Sequence, residues 1–201
     1  MFLTRLLIAF CVATVAFAVH AEPVPDAERI PVDLRRTTLV VRDIDASLPL
    51  YRDALGLTVI YDQHIPGQGD DGKPSPGLRL VLLRANDTFI GALGLMQRLG
   101  EAHPPRQPNA RAVAGQPILV FNAKDLDTRF EAIETTPNIE IATRPVRIDY
   151  PAPDGGKIPV LFSAVYDPDG FFIEINQLLG APAGTPASPA YHSDTDDSKT
   201  D

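Results

Sequence analysis

The chain has 201 residues, enough for one domain or at most two small ones. Its 18 Lys and Arg against 26 Asp and Glu give a net charge of -8, which argues against a broad phosphate-binding surface; 44% apolar and 22% charged residues exclude a globally disordered chain. A single cysteine excludes both a disulfide framework and a Cys-ligated zinc site.

At the N-terminus, Met1 to Arg5 gives a short positive start, Leu6 to Ala18 an apolar run broken only by Thr14, and Val19-His20-Ala21 small residues around a cut. Residues 1–21 are therefore expected to be a cleavable export signal, with Ala16-Phe17-Ala18 offering a second A-x-A site. The run is shorter than the roughly 20 residues a membrane span needs. Either cut removes Cys11, and Phe10 stands where a lipoprotein signal has a small residue. The mature chain is expected to be periplasmic or secreted, with no membrane association after cleavage.

Next come an apolar run, Thr37 to Val41, and Asp43-Ile44-Asp45 opening a helical pattern with Asp as cap. Leu48, Tyr51 and Leu55 share one apolar helix face, with Pro49 read as lying in the first turn. Gly56 ends that helix in the left-handed conformation. A strand, Leu57 to Tyr61, is followed by a Gly- and Pro-rich loop, Gln63 to Gly77. Its Gly67-Gln68-Gly69-Asp70-Asp71-Gly72 is formally G-x-G-x-x-G, but Lys73-Pro74-Ser75-Pro76 forbids the helix a dinucleotide site requires. A hairpin closes the unit, Leu78 to Ala85 with Thr88 to Gln97, turning at Asn86-Asp87.

After a Pro-rich linker, 98–117, the same series recurs at an offset of 82 residues. Ile118 to Phe121 repeats the first strand, Asp125-Leu126-Asp127 the cap, Phe130 and Ile133 the helix face, and Asn138 the stop. A strand, Ile139 to Arg147, and a hairpin, Pro159 to Asp167 with Phe171 to Gln177 about Pro168-Asp169-Gly170, complete it. The pattern is an α+β fold of two βαβββ modules, residues 34–97 and 118–178. Neither module can bury both faces alone, so the two are expected to form one eight-stranded, cupped mixed sheet around a central cavity. Residues 181–201, rich in Ala, Pro, Ser and Asp, read as a disordered tail.

The residues Leu39-Val40-Val41-Arg42-Asp43-Ile44-Asp45-Ala46-Ser47, Tyr51-Arg52-Asp53-Ala54-Leu55-Gly56-Leu57, and Tyr166-Asp167-Pro168-Asp169-Gly170-Phe171-Phe172-Ile173-Glu174-Ile175 resemble the vicinal oxygen chelate superfamily of glyoxalases, bleomycin-resistance proteins and extradiol dioxygenases. That resemblance covers Leu34 to Leu178. It implies a divalent metal held by His or Glu at the start of each module's first strand and by a carboxylate on each last strand. Matched by position these are Arg36, Ile118, Ala92 and Glu174, of which only Glu174 is a metal ligand type. No cofactor is therefore expected, with a divalent metal on Glu174 as the alternative.

Glu174 and Arg36 are the candidate catalytic residues. Strand alternation turns Glu174, with Phe172 and Asn176, away from the helix-covered core. Three readings stay open: an Arg36–Glu174 ion pair in place of the metal; a half-buried Glu174 with Arg36 at a solvent edge; or an unpaired Glu174 acting as general base, with Arg36 or Arg84 steadying an enolate. Thr38, Arg84, Asn122, Tyr166, Asn176 and His64 are candidate ligand-binding residues. The favoured function is an exported binding protein holding a neutral or cationic small molecule in its groove without the family metal. The alternative is a metal-dependent lyase, isomerase or dioxygenase using Glu174, with His64, His103 or Asp70-Asp71 as recruited ligands; fold alone supports it. An interaction module is a third reading. A homodimer is compatible with the repeat, and nucleic acid is not expected as a partner, because there is neither a basic stripe nor an aromatic platform.

Overall fold

The computed structural model describes residues 25–69, 72–87, 89–103, 106, 112–152 and 155–179; the expected signal and tail lie outside the described residues. The chain divides into two units at Pro31. Among the described residues of the first, a 3-10 turn spans Asp26–Glu28, closed by Glu28 N–H donating to Pro25 O at 2.8 Å. The second holds every strand among the described residues.

That second unit runs β1 (Arg36–Val40), α1 (Ile44–Leu48), a π-wound segment (Pro49–Ala54), β2 (Thr58–Gln68), β3 (Pro74–Arg84), β4 (Ala92–Arg98), β5 (Ile118–Asn122), α2 (Leu126–Glu134), β6 (Glu140–Pro151), β7 (Lys157–Tyr166) and β8 (Phe172–Leu178). Each module folds as βαβββ. The strands form two four-stranded mixed sheets, β1-β4-β3-β2 and β5-β8-β7-β6, rather than one continuous eight-stranded sheet. In each, the first and last strands pair in parallel and the rest antiparallel.

One apolar core serves both modules. Leu39, Val81, Leu83, Leu93 and Leu95 of the first sheet, Ile173, Ile175 and Val165 of the second, and Ile44, Tyr51, Leu126, Phe130 and Ile133 of the helices belong to a single cluster. The 3.6-residue spacing of the helical positions and the alternation along the strands select these residues. Gly56 and Asn138 end the helical segments at φ 75° and 62°, as their residue types predict.

Four expectations are corrected. Pro49 lies beyond the first turn, where it has no N–H for the carbonyl of Asp45 and its ring would crowd that carbonyl; the chain widens into π geometry, with Leu55 N–H donating to Leu50 O at 2.9 Å. The Gly- and Pro-rich stretch from Gln63 is largely hairpin, since pairing continues from Thr58↔Arg84 out to Gln68↔Pro74 past a bulge between Ile65 and Gly67. The β3–β4 turn is wider than two residues: Asp87 Oδ1 accepts from the backbone of Phe89 at 2.6 Å and Ile90 at 2.7 Å, and β4 begins only at Ala92. That width moves the repeat. Leu83 pairs with Leu93 but Val165 with Ile173, so the last strands correspond at an offset of 80, and the counterpart of Glu174 is Gly94 rather than Ala92.

Two glutamines confirm the shifted register. Gln97 Oε1 accepts from Ile44 N–H at 3.2 Å, and Gln177 Oε1 from Leu126 N–H at 2.8 Å, so each last strand caps the helix of its own module. Asp43 adds a bond from Asp45 N–H at 2.9 Å, whereas the Asp125 side chain makes no capping bond.

Candidate functional site

Each sheet has one face on the shared core and one turned away from it. Cross-strand partners define the second face. In the first sheet it carries Thr38, Gly94, Leu82 and Tyr61, joined by the pairs Thr38↔Gly94, Gly94↔Leu82 and Tyr61↔Leu82. In the second, Val120↔Glu174↔Ala164, Asn122↔Asn176↔Phe162 and Phe172↔Tyr166↔Glu140 form successive rows. As alternation predicts, Ile173 and Ile175 are buried in the core while Phe172, Glu174 and Asn176 lie opposite.

Tyr166 is buried, and its ring meets Phe172 at 5.2 Å between centroids, tilted by 60°. Glu174 is half-buried and accepts a long hydrogen bond from Asn176 Nδ2 at 3.4 Å. The other end of that amide, Asn176 Oδ1, is enclosed and has no donor. Glutamate and asparagine thus present acceptors on one face, one of them unsatisfied. Around them Val120, Ile118 and Val146 stand exposed, giving the face an apolar rim.

Arg36 begins β1 at an exposed edge and forms no ion pair with Glu174. It lines a cleft of about 250 Å³ between the edge strands β1 and β5, together with Thr37, Ala92, Ile118, Val120 and Phe121. The two first-strand positions implied by the resemblance, Arg36 and Ile118, therefore share one cleft; Glu174 lies one strand inward, beside Val120. Thr38 lies over Gly94, where a Cβ would come within 2.6 Å of its Oγ1. Arg84 shares that face at the far end of β3. His64 falls on the other side: it pairs with Arg79, whose guanidinium binds Asp62 and the α1 residue Asp45. Asn122 ends β5 at the margin of a second cleft, of about 490 Å³.

The donor set does not fit the family metal. Among the described residues no three His, Cys, Asp or Glu side chains converge as a metal site requires. The register correction leaves Arg36 and Gly94 where the first module would supply ligands, and neither has a carboxylate or imidazole.

A buried polar contact between the modules escaped the sequence reading. Tyr51 donates its hydroxyl to Asp167 Oδ2 at 2.8 Å, and Asp167 Oδ1 accepts from the backbone of Asp169 at 2.9 Å and Phe171 at 2.8 Å. Burial pushes the Asp167 carboxyl above its usual range, and those three bonds draw it partly back. Beside it, Arg42 grips the same turn: its backbone N–H and Nε donate to Asp169 Oδ1 at 3.0 and 2.8 Å, and Nη2 donates to Pro168 O at 2.7 Å. The sequence signal was present, since Asp-Pro-Asp-Gly places two carboxylates around a turn that needs only one.

Residues 33–175 match the family described as Glyoxalase/Bleomycin resistance protein/Dioxygenase superfamily. A glyoxalase family protein from Bacillus cereus is similar in structure, with a TM-score of 0.55 at 13% identity, covering 77% of this chain and 99% of that one. The trypanothione-dependent glyoxalase I of Leishmania major is 19% identical over 73% of this chain and 86% of its own, with a TM-score of 0.48. In a sequence comparison with curated proteins, none matches.

Proposed function

Because the chain belongs to the glyoxalase/bleomycin resistance protein/dioxygenase superfamily, we propose that it is an exported small-molecule binding protein that works without the family metal. Export rests on the Met1–Ala21 sequence. The observation that carries the binding role is the enclosed Asn176 Oδ1, an acceptor with no donor, one turn of alternation from the half-buried Glu174 carboxylate. A buried acceptor left without a partner is costly, and a ligand that brings a hydroxyl, amide or ammonium donor relieves that cost. The ligand class is therefore a neutral or cationic molecule with at least one donor and an apolar body, the latter lying on Val120, Phe172 and Tyr166.

Arg36 and Thr38 on β1, and Arg84 on β3, border this reading as groups for a more distant part of the ligand. The exposed apolar edge residues Val40, Ile118 and Val120 also suit a second copy of the chain, so a homodimer forms part of the proposal. The metal-dependent alternative needs three converging donors, which the described residues do not assemble.

The test is a thermal-shift screen of neutral and cationic donor-bearing compounds against the wild type, Asn176→Leu and Glu174→Gln. A compound at a hundred times its Kd stabilises by about 2.7 kcal/mol. Loss of the shift in Asn176→Leu for every hit, and in Glu174→Gln for cationic hits, is the expected result. Hits that bind both variants as well as the wild type would overturn the assignment.

A further inference from the structure

The Arg42 grip has a counterpart position in the other half of the repeat, and there it is open. Offset by 82, Lys124 stands for Arg42, Ala85 for Asp167, Asp87 for Asp169 and Ile133 for Tyr51. In the closed copy, Asp167 satisfies the backbone N–H groups of its own turn, which leaves Asp169 available to Arg42. In the open copy, the Ala85 side chain has no oxygen to offer. Asp87 satisfies the turn instead, accepting from Phe89 and Ile90, and Lys124 has no carboxylate partner among the described residues. The first-module turn thus keeps Asp87 engaged with its own backbone and leaves Lys124 without a carboxylate partner among the described residues.

Lys124 lines the cleft of about 490 Å³, together with Arg129, Asn86, Asn122, Leu57 and Phe121. Arg129 reaches into it beside Gly56: its Nη1 donates to Ala54 O at 3.2 Å and lies 3.1 Å from where a Gly56 Cβ would stand. The remaining guanidinium N–H groups have no carboxylate partner among the described residues. Asp125, exposed, is the one acid in the lining, against two cations, in a chain whose net charge is -8. Two amides and two cations above an apolar floor suit an oxyanion carried on a small hydrocarbon body.

We propose that this cleft is a binding site for a small organic anion, its carboxylate or phosphoryl oxygens held by Lys124 and Arg129 and its apolar part lying on Leu57 and Phe121. It is separate from the Glu174 face and does not depend on the function proposed for that face.

The test is an amide NMR titration of the full mature chain with benzoate and, separately, with inorganic phosphate, at fixed ionic strength maintained with chloride. Saturable shifts confined to residues 55–57, 85–86 and 122–129 are expected. Lys124→Gln and Arg129→Gln, both at exposed positions, should each weaken binding roughly tenfold, since each removes one charge-assisted bond. Lys124→Arg should retain it. Tighter binding of benzoate identifies a carboxylate ligand, and tighter binding of phosphate a phosphoryl one. No saturable shift with either probe, equal affinity in the Gln variants, or loss of binding in Glu174→Gln would overturn the proposal.

Discussion

Tyr51 and Asp167 meet at 2.8 Å across the boundary between the two modules, and both are fully buried. The hydroxyl comes from the helical segment of the first module and the carboxylate from the hairpin turn of the second. A shared apolar core is tolerant of small shifts; a hydrogen bond at this length is not, so the pair fixes how one module sits against the other.

Tyr51→Phe keeps the ring and removes the donor, leaving Asp167 Oδ2 buried without its partner. A loss of about 1–3 kcal/mol is expected from urea unfolding, with an unchanged denaturant slope. A variant as stable as the wild type would show that the hydroxyl contributes nothing.

The same pair sets an alkaline response. Burial, then the neighbouring Asp167 carboxylate, push the Tyr51 phenol well above its ordinary 10.0. Because the folded value exceeds the unfolded one, the contribution is fully present below about pH 10 and is lost as pH rises through the folded value. The stability gap between the wild type and Tyr51→Phe should therefore narrow in strongly alkaline buffer. Melting temperatures measured across that range check it, and a constant gap would contradict it.

Arg42 and Lys124 occupy equivalent places with unequal partners. Arg42→Ala breaks the two side-chain bonds to the Pro168–Asp169 turn, from Nε and Nη2, and is expected to cost about 1–3 kcal/mol. Its backbone N–H survives the change, which keeps the loss toward the lower end. Lys124→Ala, at an exposed residue, should fall within about 0.5 kcal/mol of the wild type. Equal losses at the two sites would show that the repeat is more symmetric than its hydrogen bonds indicate.

Gly94→Ala places a Cβ 2.6 Å from Thr38 Oγ1 and 3.1 Å from its Cγ2. Overpacking of this kind costs roughly 1–3 kcal/mol. Adding Thr38→Ala should recover most of it, because the two nearest atoms are then gone and only the Thr38 Cβ, at 3.2 Å, stays close. Failure of that rescue would place the strain in the β1–β4 backbone.

Protein recovered without chelator is expected to carry far less than one equivalent of Mn, Fe, Ni or Zn per chain, with no change in Glu174→Ala. Elemental analysis decides it. Near one equivalent in the wild type, lost in the variant, would restore the metal-dependent reading.

Much of the fold was legible because it rests on local rules. Gly56 and Asn138 were identifiable as left-handed stops from residue type, and Phe130 and Ile133 as a buried face from spacing. The repeat was readable until the first hairpin, where Asn86-Asp87 looks like a tight turn but Asp87 organises a wider one. The two extra residues cannot be seen without knowing which strand positions pair, and they displaced the match to Glu174 onto Ala92. His64 was misjudged as a loop residue for a related reason: proline and glycine usually mark a break in a strand, yet β2 continues through them by way of a bulge. Gln97 and Gln177 went unnoticed because their spacing of 80 becomes a repeat only after that correction. Glu174 and Asn176 were found by alternation alone, whereas Lys124 and Arg129 become a pair only through the cleft they share.

The two glutamine caps also bear on the order in which the molecule assembles. Each helix receives a partner for its first N–H from the last strand of its own module, so a module emerging from synthesis can cap its own helix before the other is made. Arg42 and Tyr51 must wait, because Pro168, Asp169 and Asp167 are made much later. Their bonds can form only once the second module has been made. Changes at either residue should accelerate unfolding while leaving the refolding rate nearly unaltered, the signature of contacts absent from the transition state.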